Sequence, residues 1–131
     1  MTYLLDTNAW LHWFHRPGEM SAAARQVLNG ERVVALSPMS VVEVAQKHHK
    51  GKLGLPLPLD QWVRQSLPAG RVRMLPLTTE IALRAYQWPA DFHGDPADRI
   101  IAATAVAHQL TLVTSDEKLI ARQDVRTLST R

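Results

Sequence analysis

Four acidic residues stand where apolar runs of the sequence break off. Asp6 directly ends Tyr3-Leu4-Leu5, and Asp116 follows Leu112-Val113 after only Thr114-Ser115. Asp98 opens the apolar stretch Ala97 to Gln109, and Glu43 lies in the second turn beyond Ser37-Pro38. Two like unit charges ~4 Å apart repel by about 4 kcal/mol at an effective dielectric near 20, so three or four convergent carboxylates destabilise a fold unless a cation neutralises them. Oxygen donors in a chain without cysteine favour a hard ion, Mg²⁺ or Mn²⁺. An ion held in this way serves phosphoryl chemistry: it activates water and offsets charge on the attacked phosphate.

Each acid also has a plainer use. Asp98 lies three residues after Asp95, so the pair fits a helix cap and a first-turn acid facing the helix dipole. Asp116 fits a first-turn acid after a Thr114 or Ser115 cap. Glu43 can pair with Lys47 at i+4, or close a capping box with Ser40. Asp6 is the hardest to explain structurally, because an acid at the end of an all-apolar strand gains little there.

Whether the acids meet depends on the elements that carry them. Tyr3 to Leu5 reads as a buried strand, Ala9 to Phe14 as a short helix broken by Pro17-Gly18, and Ser21 as the cap of a helix closed by Asn29-Gly30. Val33 to Leu36 is a second strand. Ser37-Pro38 then opens a helix with Val41, Val44, Ala45 and His48 as its inward stripe and Gly51 beyond its end. Leu59 to Leu67 is helical, Arg73 to Leu77 a third strand, and Thr79 starts a helix that ends before Pro89. Asp95-Pro96 opens the most apolar helix, Ala97 to Gln109. Thr111 to Val113 is a fourth strand, Glu117 to Arg122 a helical turn, and Val125 to Leu128 a fifth strand. Short apolar strands alternating with helices predict an α/β fold, a central parallel sheet of about five strands with helices on both faces. In a doubly wound sheet, ligands sit at the carboxyl ends of the strands, where these acids fall.

The composition, 46% hydrophobic and 21% charged over 131 residues, is that of an ordinary globular protein. No repeat or linker divides residues 1–131, which read as one domain. The absence of cysteine excludes disulfides, thiol catalysis and Cys-based zinc sites. No secretory signal opens the chain and its longest uncharged run is too short and polar to span a bilayer, so a cytoplasmic protein is expected. A net charge of +3 favours a polyanionic partner without identifying it.

Four segments resemble the motifs of the PIN-domain ribonucleases, in the form found in VapC-type toxins of toxin–antitoxin pairs. They are Leu4-Leu5-Asp6-Thr7-Asn8, Ser40-Val41-Val42-Glu43-Val44-Ala45, Asp95-Pro96-Ala97-Asp98-Arg99-Ile100-Ile101 and Leu112-Val113-Thr114-Ser115-Asp116. Their order and spacing match along nearly the whole chain. The resemblance implies a PIN fold, Mg²⁺-dependent cleavage of RNA, a homodimer, and a small VapB-like antitoxin whose C-terminal segment blocks the active-site groove. It makes Asp6, Glu43, Asp98 and Asp116 the catalytic, metal-holding acids. Thr7, Asn8 and Ser115 orient the acids or the water, and Asp95 caps a helix and reaches the metal through water. Arg99, beside Asp98, reads from its position as a residue that orients a carboxylate rather than one that binds substrate.

Lys47-His48-His49-Lys50-Gly51-Lys52 is a basic cluster with two uses. It complements a helix C-terminus closed by glycine, or its Lys47, Lys50 and Lys52 contact RNA phosphates beside Glu43. Histidines 12, 15, 48, 49, 93 and 108 form no metal-binding pattern and read as surface or partly buried residues. Trp10, Trp13 and Phe14 read as core, with a partner contact as their second use. Two other functions fit parts of the pattern. One is a PIN nuclease of RNA processing outside toxin–antitoxin systems. The other is a receiver-type phospho-signalling domain, which requires an acid pair after the first strand, a phosphoacceptor Asp after the third and a Lys after the fifth. This sequence lacks all three.

Overall fold

The computed structural model describes residues 1–89, 91, 92 and 95–131. The strands are β1 (Tyr3–Leu5), β2 (Val34–Leu36), β3 (Val72–Met74), β4 (Thr111–Thr114) and β5 (Thr127–Ser129). Between them run α1 (Thr7–His15), α2 (Ala22–Asn29), α3 (Pro38–His49), α4 (Leu59–Gln65), α5 (Thr79–Ala85), α6 (Pro96–Ala107) and α7 (Glu117–Ile120), with a single 3₁₀ turn at Pro17–Glu19. All five strands are parallel, in the order β3-β2-β1-β4-β5. The chain therefore winds outward from β1 in one direction, then returns to the other side of β1 to lay down β4 and β5. That reversal opens a crevice at the carboxyl ends of β1 and β4, where α/β sheets bind ligands.

Alternation along the strands divides the core into two layers. Leu5, Val34, Leu36 and Val113 face a cluster holding Trp10, Leu28, Val44 and Trp62, from α1 to α4. Leu4, Ala35 and Leu112 face the opposite cluster, with Ile101, Ala102 and Ala105 of α6 and Leu119 of α7. Buried alanines at 102, 103 and 105 let α6 lie close to the sheet on one side, while Ala103 meets Ile81 and Ala85 of α5 on another. The helices start where side-chain oxygens accept their free N–H groups. Ser21 accepts from Ala24 at 3.1 Å, Ser37 from Met39 at 3.1 Å ahead of Pro38, and Thr78 from Ile81 at 3.2 Å.

Several expected boundaries move. β3 spans Val72–Met74 rather than Arg73 to Leu77, because Pro76 has no N–H to continue a ladder. β5 begins at Thr127, so Val125 fills the core from the turn before it. His48, expected on the inward stripe of α3, is exposed, whereas Ser40 and Val44 are buried. A helix of 12 residues is about 18 Å long and the three-residue strands only about 10 Å, so its last turn overhangs the sheet. His12 and His15 are half-buried and His49 and His108 exposed, while His93 lies outside the described residues. Among the described residues no helix is long and apolar enough to cross a membrane.

Trp10 anchors the first layer. Its ring is fully buried, lies 5.1 Å from the Trp62 ring, and donates from Nε1 to the Ser66 carbonyl at 2.9 Å. Trp13 and Phe14 pack against the same layer with part of each ring in solvent. Trp10→Ala is expected to cost about 3–5 kcal/mol in urea unfolding. Trp10→Phe, which keeps a ring but strands the Ser66 carbonyl, should cost about 1–3 kcal/mol. Equal, small losses for both variants would mean that Trp10 does not hold this layer together.

Candidate active site

The crevice at the carboxyl ends of β1 and β4 is a polar groove of about 590 Å³ lined by six acids: Asp6, Glu43, Asp95, Asp98, Asp116 and Glu117. Lys47, Lys118 and Arg131 supply cations around it, and Asn8 and Ser115 line it between the charges. The topology thus brings the four acids read from the sequence to one place. The tightest group differs from that foursome. Single carboxylate oxygens of Glu43, Asp95 and Asp98 all lie within 4.8 Å of one another. Asp95 is therefore a member of the cluster as well as the cap of α6, accepting from Ala97 N at 2.9 Å.

Capping also explains Asp6. Its Oδ1 accepts from Ala9 N at 2.7 Å and makes it the N-cap of α1, so the expectation that this acid has no structural use is corrected. The helix begins one residue after the strand ends, closer than the aromatic run alone suggests. Asp116 is likewise a cap, accepting from Lys118 N at 2.9 Å and Leu119 N at 3.4 Å, rather than a first-turn acid behind a Thr114 or Ser115 cap. These caps fix one carboxylate oxygen each with backbone donors at the positive ends of helices.

Two buried threonines hold further acids. Thr7 Oγ1 lies 3.0 Å from the Ser40 hydroxyl and donates to Glu43 Oε1. A threonine has one hydroxyl proton and a carboxylate only accepts, so that proton goes to Glu43 and Ser40 supplies its own toward Thr7. Thr114, fully buried at the end of β4, accepts from Asp116 N at 3.0 Å and gives its hydroxyl hydrogen bond to Asp6. In the sequence Ser40 and Thr114 read only as helix caps, not as partners that hold the acids. The available signal was a polar residue placed where an apolar strand or an inward helix stripe should continue.

The crowding appears in the protonation of the acids. Burial first, then Glu43 and Asp116, push the Asp6 carboxyl up to about 6, against the lowering effect of the Thr114 and Ala9 hydrogen bonds. Burial, then Asp95 and Glu43, push Asp98 up to about 7. Ionised oxygens 4.8 Å apart repel by about 3 kcal/mol per pair at an effective dielectric near 20. An all-oxygen donor set under such mutual repulsion fits a hard divalent cation.

Two expected supporting residues fall elsewhere. Arg99 does not orient a carboxylate: it donates to the carbonyls of Ala85 at 3.2 Å and Phe92 at 3.0 Å and lies over the Tyr86 and Phe92 rings. It ties α6 to the end of α5 and the segment that follows. In the basic cluster, Gly51 at φ +70 closes α3, with Lys52 N donating to Lys47 O at 2.9 Å and Gly51 N to His48 O at 3.0 Å. That two-bond closure is a Schellman cap. Lys47 faces the acids, whereas exposed Lys50 lines neither the acid groove nor its neighbour beside α1.

Residues 3–125 match the family model described as PIN domain. The chain is 34% identical over 125 residues to Ribonuclease VapC22 of Mycobacterium tuberculosis, covering 95% of each. Among solved structures it is similar to VapBC from Salmonella typhimurium bound to DNA, with a TM-score of 0.75 and 19% identity over 100% of this chain and 99% of that one. It is also similar to VapBC2 from Rickettsia felis bound to a promoter fragment, with a TM-score of 0.74 and 16% identity over the whole of both chains. These likenesses confirm the five-stranded parallel α/β architecture and remove the receiver-type alternative. With the acid groove at its switch point and its sequence aligned from end to end with a VapC relative, the chain belongs to the PIN-domain family, in its VapC-type branch.

Proposed function

We propose that this protein is a divalent-metal-dependent endoribonuclease acting as the toxin of a VapBC-type pair. The observation that carries the nuclease part is the groove itself: carboxylates from the ends of β1 and β4 and from the opening turns of α3 and α6, crowded enough to need a cation. Glu43, Asp98, Asp6 and Asp116 would hold Mg²⁺ or Mn²⁺, with Asp95 beside them. The ion supplies a nucleophile at neutral pH and offsets charge on the phosphodiester.

The rest falls to the chain. Thr7 and Thr114 fix the rotamers of Glu43 and Asp6, so that these oxygens are already aimed when substrate arrives. Lys47, Lys118 and Arg131 draw a phosphate backbone over an otherwise repulsive surface. Asp6 and Asp98, raised by burial and by neighbouring carboxylates in the metal-free groove, would give up their protons when the ion binds. Family membership and the VapBC complexes among its structural neighbours support an RNA substrate, a cytoplasmic homodimer and a small antitoxin that covers the groove. An arginine of that antitoxin would pair with the acids in place of the metal.

Raised carboxyl titrations fix the sign of a stability profile. In the folded chain Asp6 and Asp98 retain protons that the unfolded chain releases above about 4, so folding loses stability as pH climbs from about 4 to about 7. Metal competes with those protons. The melting temperature of the metal-free protein should therefore fall between about pH 4 and 7, and the increment produced by Mg²⁺ or Mn²⁺ should grow over the same interval. A metal increment that is constant with pH would count against a site made of these two acids.

Asp6→Asn and Asp98→Asn should each cut RNA cleavage by more than the roughly 10–100-fold typical of outer-shell changes, while Thr114→Val should fall within that range. Asn caps helices as well as Asp does, so Asp6→Asn should keep the fold and, with one repelling charge removed, raise the metal-free melting temperature. An Asp6→Asn protein that cleaves at the wild-type rate overturns the assignment. For the toxin part, expression alone should arrest growth, and the neighbouring small protein should co-purify and relieve the arrest. Harmless expression with no partner would remove the toxin while leaving the nuclease.

A further inference from the structure

A second groove, of about 250 Å³, runs beside α1 and shares Asn8 and Lys47 with the acid groove. Its rim carries His12, His15 and Arg16 from the end of α1, with Lys47 and Lys52 from the Schellman-capped end of α3. Its apolar surface comes from Leu11 and Leu53. Asn8, Leu11, His12 and His15 fall at i, i+3, i+4 and i+7, one face of the helix. From Asn8 to His15 that face runs about 10 Å away from the acids.

Helix-dipole complementation accounts for basic residues at the ends of α1 and α3 taken one at a time. It does not account for both sets facing a single concavity with an apolar floor. Nor does it account for the way the cap brings Lys52 back beside Lys47 while Lys50 is left outside. His15 also packs against the Trp62 ring, with centroids 6.4 Å apart and ring planes at 85°.

We propose that this side groove holds the single-stranded RNA segment adjoining the cleaved bond. Arg16, Lys47 and Lys52 take its phosphates, and the imidazoles with Leu11 and Leu53 take a base. The proposal rests on the ribonuclease function and adds to it where the strand leaves the metal-binding acids. Single strands are bound in this manner, by a cationic track combined with flat or apolar surfaces for bases. A length of about 10 Å accommodates more than one nucleotide at roughly 3.4 Å of rise per residue of a stacked strand.

The test compares the wild-type protein with Arg16→Gln, Lys52→Gln and Lys50→Gln. The first measurement is the binding of a fluorescent single-stranded RNA by anisotropy in Ca²⁺ across a salt series. The second is steady-state cleavage of the same RNA in Mg²⁺. Arg16→Gln and Lys52→Gln should each reduce the slope of log affinity against log salt by about 0.7 and raise KM several-fold at unchanged kcat. Lys50→Gln removes the same charge from the same helix end and should do neither. A 4-thiouridine next to the cut site should crosslink to the segment containing His12 to Arg16.

If Lys50→Gln matches Lys52→Gln, the effect is net charge and the groove is overturned. If wild type cleaves RNA while Arg16→Gln and Lys52→Gln bind it unchanged, the nuclease stands and the side groove falls. If binding of an acidic peptide, measured by the same anisotropy assay, weakens in Arg16→Gln and Lys52→Gln while RNA binding is unaltered, the groove docks protein, which also overturns the proposal. If wild type neither binds nor cleaves RNA, the nuclease function itself fails, and this proposal with it.

Discussion

Like charges brought together at the end of a parallel sheet must be held against their own repulsion, and the donors that do this organise the site. Asp6, Asp95 and Asp116 each give a carboxylate oxygen to the first N–H groups of a helix. Those N–H groups have no partner within their own helix, so one contact satisfies the backbone and anchors the acid. Thr7 and Thr114 serve Glu43 and Asp6 from buried positions at the ends of β1 and β4. The donors do not cancel the cost of the cluster: burial first, then the neighbouring carboxylates, leave Asp6 raised to about 6 and Asp98 to about 7. Stability withheld at the cluster is recovered in the two apolar layers, where Trp10, Leu4, Leu5 and Leu112 are completely buried.

The parallel sheet makes this arrangement economical in sequence. A strand that ends in an acid and turns at once into a helix places a carboxylate, its cap and the positive end of a helix dipole within three residues. Asp6-Thr7-Asn8 does so after β1, and Thr114-Ser115-Asp116 after β4. Since β1 and β4 are hydrogen-bonded neighbours at the point where strand order reverses, their two turns share the crevice. Glu43 and Asp98 arrive from α3 and α6, which pack on opposite faces of the sheet and meet over that edge.

The sheet, the order of its elements and the convergence of the acids were legible in the sequence because each rests on local signals: apolar runs of three or four residues, Ser-Pro and Asp-Pro helix starts, and glycine after α3. What was not legible depends on contacts between distant segments. Arg99 sits beside an acid in sequence, yet its guanidinium donates to the carbonyls of Ala85, at the end of α5, and Phe92. Lys50 and Lys52 are equivalent as letters, and only the left-handed turn at Gly51 puts one in a groove and the other in solvent. Thr114 read as a possible helix cap beyond the fourth strand, and its bonds to Asp6 and to the Asp116 backbone needed the β1–β4 pairing to be known. The edge strands were misplaced by one to three residues because both are short and half-exposed, so apolar pattern constrains them weakly.

One element joins the two charge zones of the surface. The N-terminus of α1 carries its positive end to Asp6 and the neighbouring acids, and its C-terminal turn carries His12 and His15, with Arg16 as the cap residue. The helix dipole therefore favours the anionic groove at one end and the cationic groove at the other. Asn8, exposed between them and lining both, is a neutral polar residue at the point where the potential changes sign. The net charge of +3 fits this division: six of the twelve acids line one crevice, and the excess of cations lies around and beyond it. A polyanion approaching such a surface is drawn by the surroundings rather than by the reactive centre, which admits a phosphate only once its own charge has been offset.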